Sequence, residues 1–476
     1  MDRAHAGATP PAPSRAAAVK ARAARFGPAV LVFAAVLAAQ LALVAAAGTD
    51  VPFQEQWDLE GGWLVPAWRS GTLHAADFFR AHNGHRIAWT HALNLALLAA
   101  NGRWDPLVQL VAGAFLHALV AAGLAWQLLR GWGARWALAA GVIVAALPFI
   151  GWHNALWGFQ SHVYFAAGFS LLAFMLLGGE QVPIRCAWAG IAAGVAALLA
   201  MGVGALVPVA LLALAALRAA ETRRGDWGRV WPALTLLGLA WLLAADVPEL
   251  AALRAANTGE FFTALGRALA WPHTGQPLAA VALNVPLVLV VAGRALRLSP
   301  PAAGEDFVLL LGGWAAAVAV AVAWARGGSA EWAAGVPSRY ADFLVLLPLA
   351  NAWCAARLVS EATDKSRHFA YALGGAWGVF LVVGWLALAA QMWRGVIAPR
   401  ARDREAPVRL VRQFQATGDA AVFAGQPRLL VPHPDAEAVR RVLADPRLRG
   451  VLPPSLQPNA PQGPLSRGVR ALLGRQ

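Results

Sequence analysis

Residues 28–48 read PAVLVFAAVLAAQLALVAAAG and hold no Asp, Glu, Lys or Arg. A helix rises about 1.5 Å per residue, so about 20 apolar residues cross the hydrocarbon core of a bilayer. Ala and Leu are strong helix formers, and backbone inside lipid must be hydrogen-bonded within its own segment. The stretch therefore reads as a membrane-spanning helix. A second such run, YALGGAWGVFLVVGWLALAAQ at 371–391, lies near the other end of the chain. Between them the composition stays apolar: 59% of the 476 residues are hydrophobic, 13% are charged, and mean hydropathy is +0.54. A soluble domain carries about 25% charged residues, so a soluble enzyme is excluded.

Eleven spans are predicted, at 28–48, 107–129, 136–151, 161–178, 186–201, 204–217, 230–246, 276–296, 306–325, 339–357 and 370–391. The third, fifth and sixth are short. Residues 85–101 are too polar at their start to cross and are expected to lie on the membrane surface. Trp104, Trp132, Trp136, Trp152, Trp231, Trp271, Trp332 and Trp393 sit at the ends of apolar windows, as in an interfacial aromatic belt. Basic residues, among them Lys20, Arg22, Arg130, Arg223 and Arg224, concentrate in the segments placed inside when the N-terminus is cytoplasmic. The formal charge of +14 is then a topology signal, and no nucleic-acid partner is implied. Cys186 and Cys354 fall toward the cytoplasmic ends of their helices and are expected as thiols.

The expected organisation is a disordered cytoplasmic segment 1–27, a transmembrane region 28–393 with a first outer loop 49–104, and a small outer segment 394–476. That last segment carries weak strand and helix signals and a Pro-rich, irregular end. The apolar core of residues 28–48 exceeds a signal-peptide core, so it is expected to remain as an anchor.

Ionisable groups gather in the first outer loop. Glu55 and Asp58, three apart, would share a face on a helical turn, as would His82, His85 and Arg86. Asn83 lies between the two histidines. These groups read either as a solvated loop or as a reactive site. The loop 151–162 (GWHNALWGFQSH) is uncharged but rich in hydrogen-bonding groups: His153, Asn154, Gln160 and His162. They line a polar cavity or cap helix ends. Arg339 and Tyr340 open the tenth span. The arginine is either paired with Asp342 or placed to meet a phosphate.

Together QEQWD (54–58), HNGHR (82–86), WHNALWGFQ (152–160) and SRY (338–340) resemble bacterial multispanning proteins of the GT-C glycosyltransferase type. The tail VPHPDAEAVRRVLADPRLRGVLPPSL (431–456) is similar to theirs too, and the resemblance covers most of the chain. It implies an all-α polytopic fold with a GT-C-like arrangement in the bacterial cytoplasmic (inner) membrane. The N-terminus would be cytoplasmic and the C-terminus outside. It further implies inverting transfer of a sugar from a polyprenyl-phosphate carrier to a glycan or lipid acceptor on the outer face. Glu55 would be the base, with Asp58 the runner-up. Arg86 and Arg339 would bind phosphate, with His82 and His85 donating to it. His153, Asn154 and Gln160 would line the sugar or acceptor pocket. No metal site and no cofactor are expected. The competing readings are a transporter or lipid flippase and a catalytically inactive GT-C-like envelope-assembly protein.

Overall fold

A computed structural model describes residues 15–179, 181–244 and 247–475. The chain is a polytopic helical membrane protein. Among the described residues, seven helices are long and apolar enough to cross a bilayer: Phe26–Ala47, Pro106–Trp132, Gly158–Leu177, Gly202–Thr222, Glu305–Arg326, Ser338–Ser360 and Arg367–Arg402. Four shorter apolar helices, Ala134–Ala146, Ile184–Leu198, Trp227–Leu242 and Ala279–Ala295, occupy the remaining predicted segments.

The N-terminal expectation needs correction. Disorder was expected over 1–27, of which 1–14 lie outside the described residues. From Arg15 the backbone is helical and continues unbroken to Ala47. The run RAAAVKARAARF is rich in strong helix formers and simply prolongs the span.

Small residues bring the helices together. Ala118, Ala121 and Ala125 pack with Val32 and Val36, so that the first helix lies against Pro106–Trp132. Asp105 caps the latter, accepting from Leu107 N at 2.9 Å, and Pro106 occupies a first-turn position where its missing N–H costs nothing. Pro286 interrupts Ala279–Ala295 and frees the Ala282 carbonyl, which Trp377 Nε1 takes at 3.1 Å. The neighbouring Leu287 N–H finds Asn351 Oδ1 at 3.0 Å. Adjacent helices thus satisfy what the proline breaks. Buried charges between the spans are paired in one cluster: Arg294 meets Glu221, Glu305 and Asp306, and Arg357 meets Glu305.

The first loop and the C-terminal segment fold onto each other. Trp57, Leu64, Leu95 and Trp104 share an apolar cluster with Val411, Phe414, Val439 and Leu452. Trp104, Trp152, Trp271 and Trp332 are therefore buried anchors, a correction to their belt assignment, whereas Trp393 is exposed. The last span continues through a widened turn at Trp393–Ile397 to Arg402. Helix Ala436–Ala444 follows the tail's helix signal, and no strand forms among the tail's described residues. The Pro-rich end is irregular yet anchored. Arg103 donates to the carbonyls of Leu452 at 3.0 Å, Ala460 at 2.9 Å and Pro461 at 3.1 Å.

Candidate functional site

The sequence His82-Asn83-Gly84-His85 makes a two-residue hairpin. Asn83 (φ 48°) and Gly84 (φ 78°) take the left-handed conformations that a tight turn between twisted strands requires. The helical reading of this segment is thus replaced by strands Ala81–His82 and His85–Arg86, with the helix beginning at Ala88. The change decides which side chains meet. His82 pairs with His85 across the hairpin and Ala81 with Arg86, so the alternation of a strand sends Arg86 to the other face. Both histidines line a cavity of about 480 Å³, while Arg86 turns away and donates to the carbonyls of Leu243 (2.9 Å) and Phe79.

Glu55 and Asp58 also part company. The turn after Glu55 is a π-helix, Gln56–Leu64, wider than an α-helix, so residues three apart do not share a face. Glu55 lines the cavity, and its Oε1 accepts from Asn83 Nδ2 at 2.7 Å. Burial raises the Glu55 carboxyl above its ordinary value, against the opposing pull of Arg339 and the Asn83 bond. Asp58 points to the C-terminal segment, where its Oδ2 lies 2.8 Å from His433 Nε2. That hydrogen bond holds Asp58 below its ordinary value.

The loop after residue 151 supplies the opposite wall. His153 and Gln160 line the cavity with Trp152 and Trp157. Burial pushes His82 and His85 down to about 4 and His153 down to about 3, so all three imidazoles are neutral at pH 7. His85 Nδ1, His153 Nδ1 and Trp157 Nε1 are buried without a hydrogen-bond partner. The three residues that carry these atoms line the cavity, and buried polar atoms without a partner call for an explanation such as a bound ligand. Asn154 stands behind this wall, donating to the Arg339 carbonyl at 2.9 Å, which corrects its expected place in the lining.

Arg339 and Tyr340 reach the cavity from the turn Ser338–Tyr340. The partner of Arg339 is Glu331, whose Oε2 accepts from Nη2 at 2.7 Å, and not Asp342. Burial alone would raise the Glu331 carboxyl, but the Arg339 bond and charge hold it below its ordinary value.

His162, read in the sequence as a cavity-lining or capping group, lines the cavity, and three charged lining residues fall outside the sequence reading: Arg326, Glu331 and Arg428. Arg326 ends a span at the side that the predicted orientation would place outside, against the inside preference of basic residues, and that departure is a readable signal. Arg428 comes from the C-terminal segment and carries no such mark; its guanidinium lies 3.9 Å from Glu331. Among the described residues the Arg326 guanidinium makes no hydrogen bond or ion pair. The cavity thus combines three guanidiniums, two carboxylates and neutral imidazoles within aromatic walls. A guanidinium without a partner beside unsatisfied donors favours an anionic ligand. No group of three or more metal-ligating side chains occurs among the described residues.

No protein-family model matches the chain, and no curated protein matches it in sequence. A solved structure, the archaeal oligosaccharyltransferase AglB from Archaeoglobus fulgidus in complex with an inhibitory peptide and a dolichol-phosphate, is similar at 13% identity and a TM-score of 0.41. The match covers 84% of this chain and 60% of that one.

Proposed function

We propose that this chain is a membrane glycosyltransferase of the GT-C type, acting on the outer face of a bacterial cytoplasmic membrane. All eleven apolar segments would cross, with the N-terminus inside and the C-terminal segment outside. The donor is a sugar on a polyprenyl-phosphate carrier and the acceptor a hydroxyl of an envelope glycan or lipid. One observation carries this reading: Glu55, a carboxylate raised by burial, shares a cavity with the Arg326 guanidinium, which has no ion partner among the described residues.

Glu55 takes the proton of the acceptor hydroxyl as the acceptor oxygen bonds to the anomeric carbon. The bond from that carbon to the phosphate oxygen breaks, with inversion, and the carrier phosphate keeps the electron pair. Arg326 and Arg339 meet the charge that develops on it. His82 and His85, being neutral, each offer one N–H to the phosphate without adding charge. His153, Gln160 and Tyr340 shape the pocket for the sugar or acceptor, and the aromatic walls exclude water. A partly desolvated carboxylate is a better base than one in water, and neither a metal nor a cofactor is invoked. Asp58, committed to His433, drops out as the alternative base.

Glu55→Gln is expected to abolish transfer while the protein inserts and folds normally. An unchanged envelope glycan profile in a deletion strain would count against the proposal.

A further inference from the structure

A polar chain runs through the bundle behind the cavity. Asn154 Nδ2 donates to the Arg339 carbonyl at 2.9 Å and to Asp342 Oδ2 at 2.5 Å. The second carboxylate oxygen, Asp342 Oδ1, lies 3.4 Å from His117 Nε2. His117 Nδ1 faces Gln40 Oε1 at 2.8 Å, and Gln40 Nε2 donates to the Tyr164 hydroxyl at 3.1 Å. The His117 and Tyr164 rings stack with centroids 4.8 Å apart.

These five side chains come from the first helix, from Pro106–Trp132, from Ser161–Leu177, from the short turn Trp152–Leu156 and from Ala341–Leu344. Burying so many polar groups in an apolar bundle costs stability unless they bond to one another, and apolar packing would do the structural task more cheaply. None of the five lines the cavity. The chain reaches the site at one point, the backbone carbonyl of Arg339. There the 3-10 turn Ser338–Tyr340, following Gly335 and Pro337, opens the helical span Ser338–Ser360, with backbone bonds from Tyr340 N to Pro337 O at 3.1 Å and from Ala341 N to Ser338 O. Neither of these bonds engages the Arg339 carbonyl, which takes the Asn154 amide instead.

We propose that Asn154, oriented by Asp342 and His117, is a positioning residue for Arg339: its bond to the Arg339 carbonyl sets where the guanidinium stands beside Glu331 in the cavity. The consequence for phosphate binding rests on the functional reading above, whereas the consequence for the turn does not.

Two measurements on purified full-length protein separate these. In a Cys186→Ala, Ser338→Cys background, with Cys354 buried, maleimide labelling reports the turn directly. Asn154→Asp places a carboxylate against both the Arg339 carbonyl and Asp342, and labelling should quicken by about tenfold or more. Adding Asp342→Asn exchanges donor and acceptor between 154 and 342, so the unfolding temperature should recover. The Arg339 carbonyl still lacks its donor, so labelling should stay fast and affinity for polyprenyl monophosphate should stay weakened, by about tenfold. A purely structural network predicts the opposite: the exchange restores labelling rate and affinity along with stability. That result, or an Asn154→Asp variant labelling at the parent rate, overturns the proposal. A parent protein that labels slowly yet fails to bind polyprenyl monophosphate overturns the donor assignment instead, and the turn data still decide the role of Asn154.

Discussion

The Asn83 side-chain amide donates to Glu55 Oε1 at 2.7 Å, from a turn residue whose backbone is left-handed. This bond favours the ionised carboxylate, while burial opposes it. Asn83→Gly keeps the backbone conformation and removes the donor. The Glu55 pKa should then rise further. Transfer requires the deprotonated base, so the acidic limb of the kcat/KM profile should move to higher pH by about half a unit to one unit. A limb that stays put would remove Glu55 from the role of base.

His433 ties the C-terminal segment to the first loop through Asp58. Burial alone would lower the His433 pKa, but the Asp58 bond, the Asp435 carbonyl and the Asp58 charge outweigh it and raise the net value. The stabilisation from this raised group is complete below its unfolded value near 6.5 and fades as pH climbs through the folded one. Asp58, depressed, contributes above its own unfolded value near 3.9 and loses this as pH falls through the folded one. The pair is strongest between these limits. His433→Gln should cost about 0.5–1 kcal/mol at pH 5.5 and less at pH 8.5, a modest figure because Asp58 is half exposed. Thermal unfolding in detergent at the two pH values measures it, and an equal cost at both would refute the ion pair.

Arg103 is buried and gathers the carbonyls of the Pro-rich end. Arg103→Ala leaves those carbonyls without donors and should cost roughly 2–4 kcal/mol of local stability. The spans do not depend on this contact. Limited proteolysis should therefore release residues 453–475 faster, while the transmembrane region stays resistant.

What was legible in the chain follows from the range of each interaction. The spans are visible because twenty apolar residues in lipid have one solution, and the helix can be read from the segment itself. Part of the cavity's polar lining was also visible, Glu55, His82, His85, His153 and Arg339 among it, since such residues stand out in an oily chain. Their facing was not. Asn83-Gly84 is a strong hairpin signal, and treating the stretch as helical gave Arg86 the wrong side. The wide turn at Gln56–Leu64 has no local signal. Within it Glu60 is buried and bonded by Trp104 at 2.7 Å and Gln109 at 2.6 Å, partners far along the chain, and burial pushes it up to about 7. Arg428 and His433 come from the far end of the chain, and only the packing of that segment onto the first loop gives them a place near Glu331 and Asp58.

Arg326 and Arg339 line the same cavity, but they should respond differently to removal. Among the described residues Arg326 has no ion partner to abandon, so Arg326→Ala should leave the unfolding temperature nearly unchanged. If it grips the carrier phosphate, the loss of one charge-assisted bond should raise KM for the donor roughly 10- to 100-fold. Arg339→Ala should do the same and also take from Glu331 its closer partner, leaving Arg428 at 3.9 Å, so the carboxyl would rise toward its ordinary value. The added stability cost should be only about 0.5–1 kcal/mol, because Glu331 is 37% exposed. Steady-state kinetics with a polyprenyl-phosphate sugar, alongside thermal unfolding of both variants, tests the contrast. Arg326→Ala with an unaltered donor KM would show that the unpaired guanidinium serves something other than the phosphate.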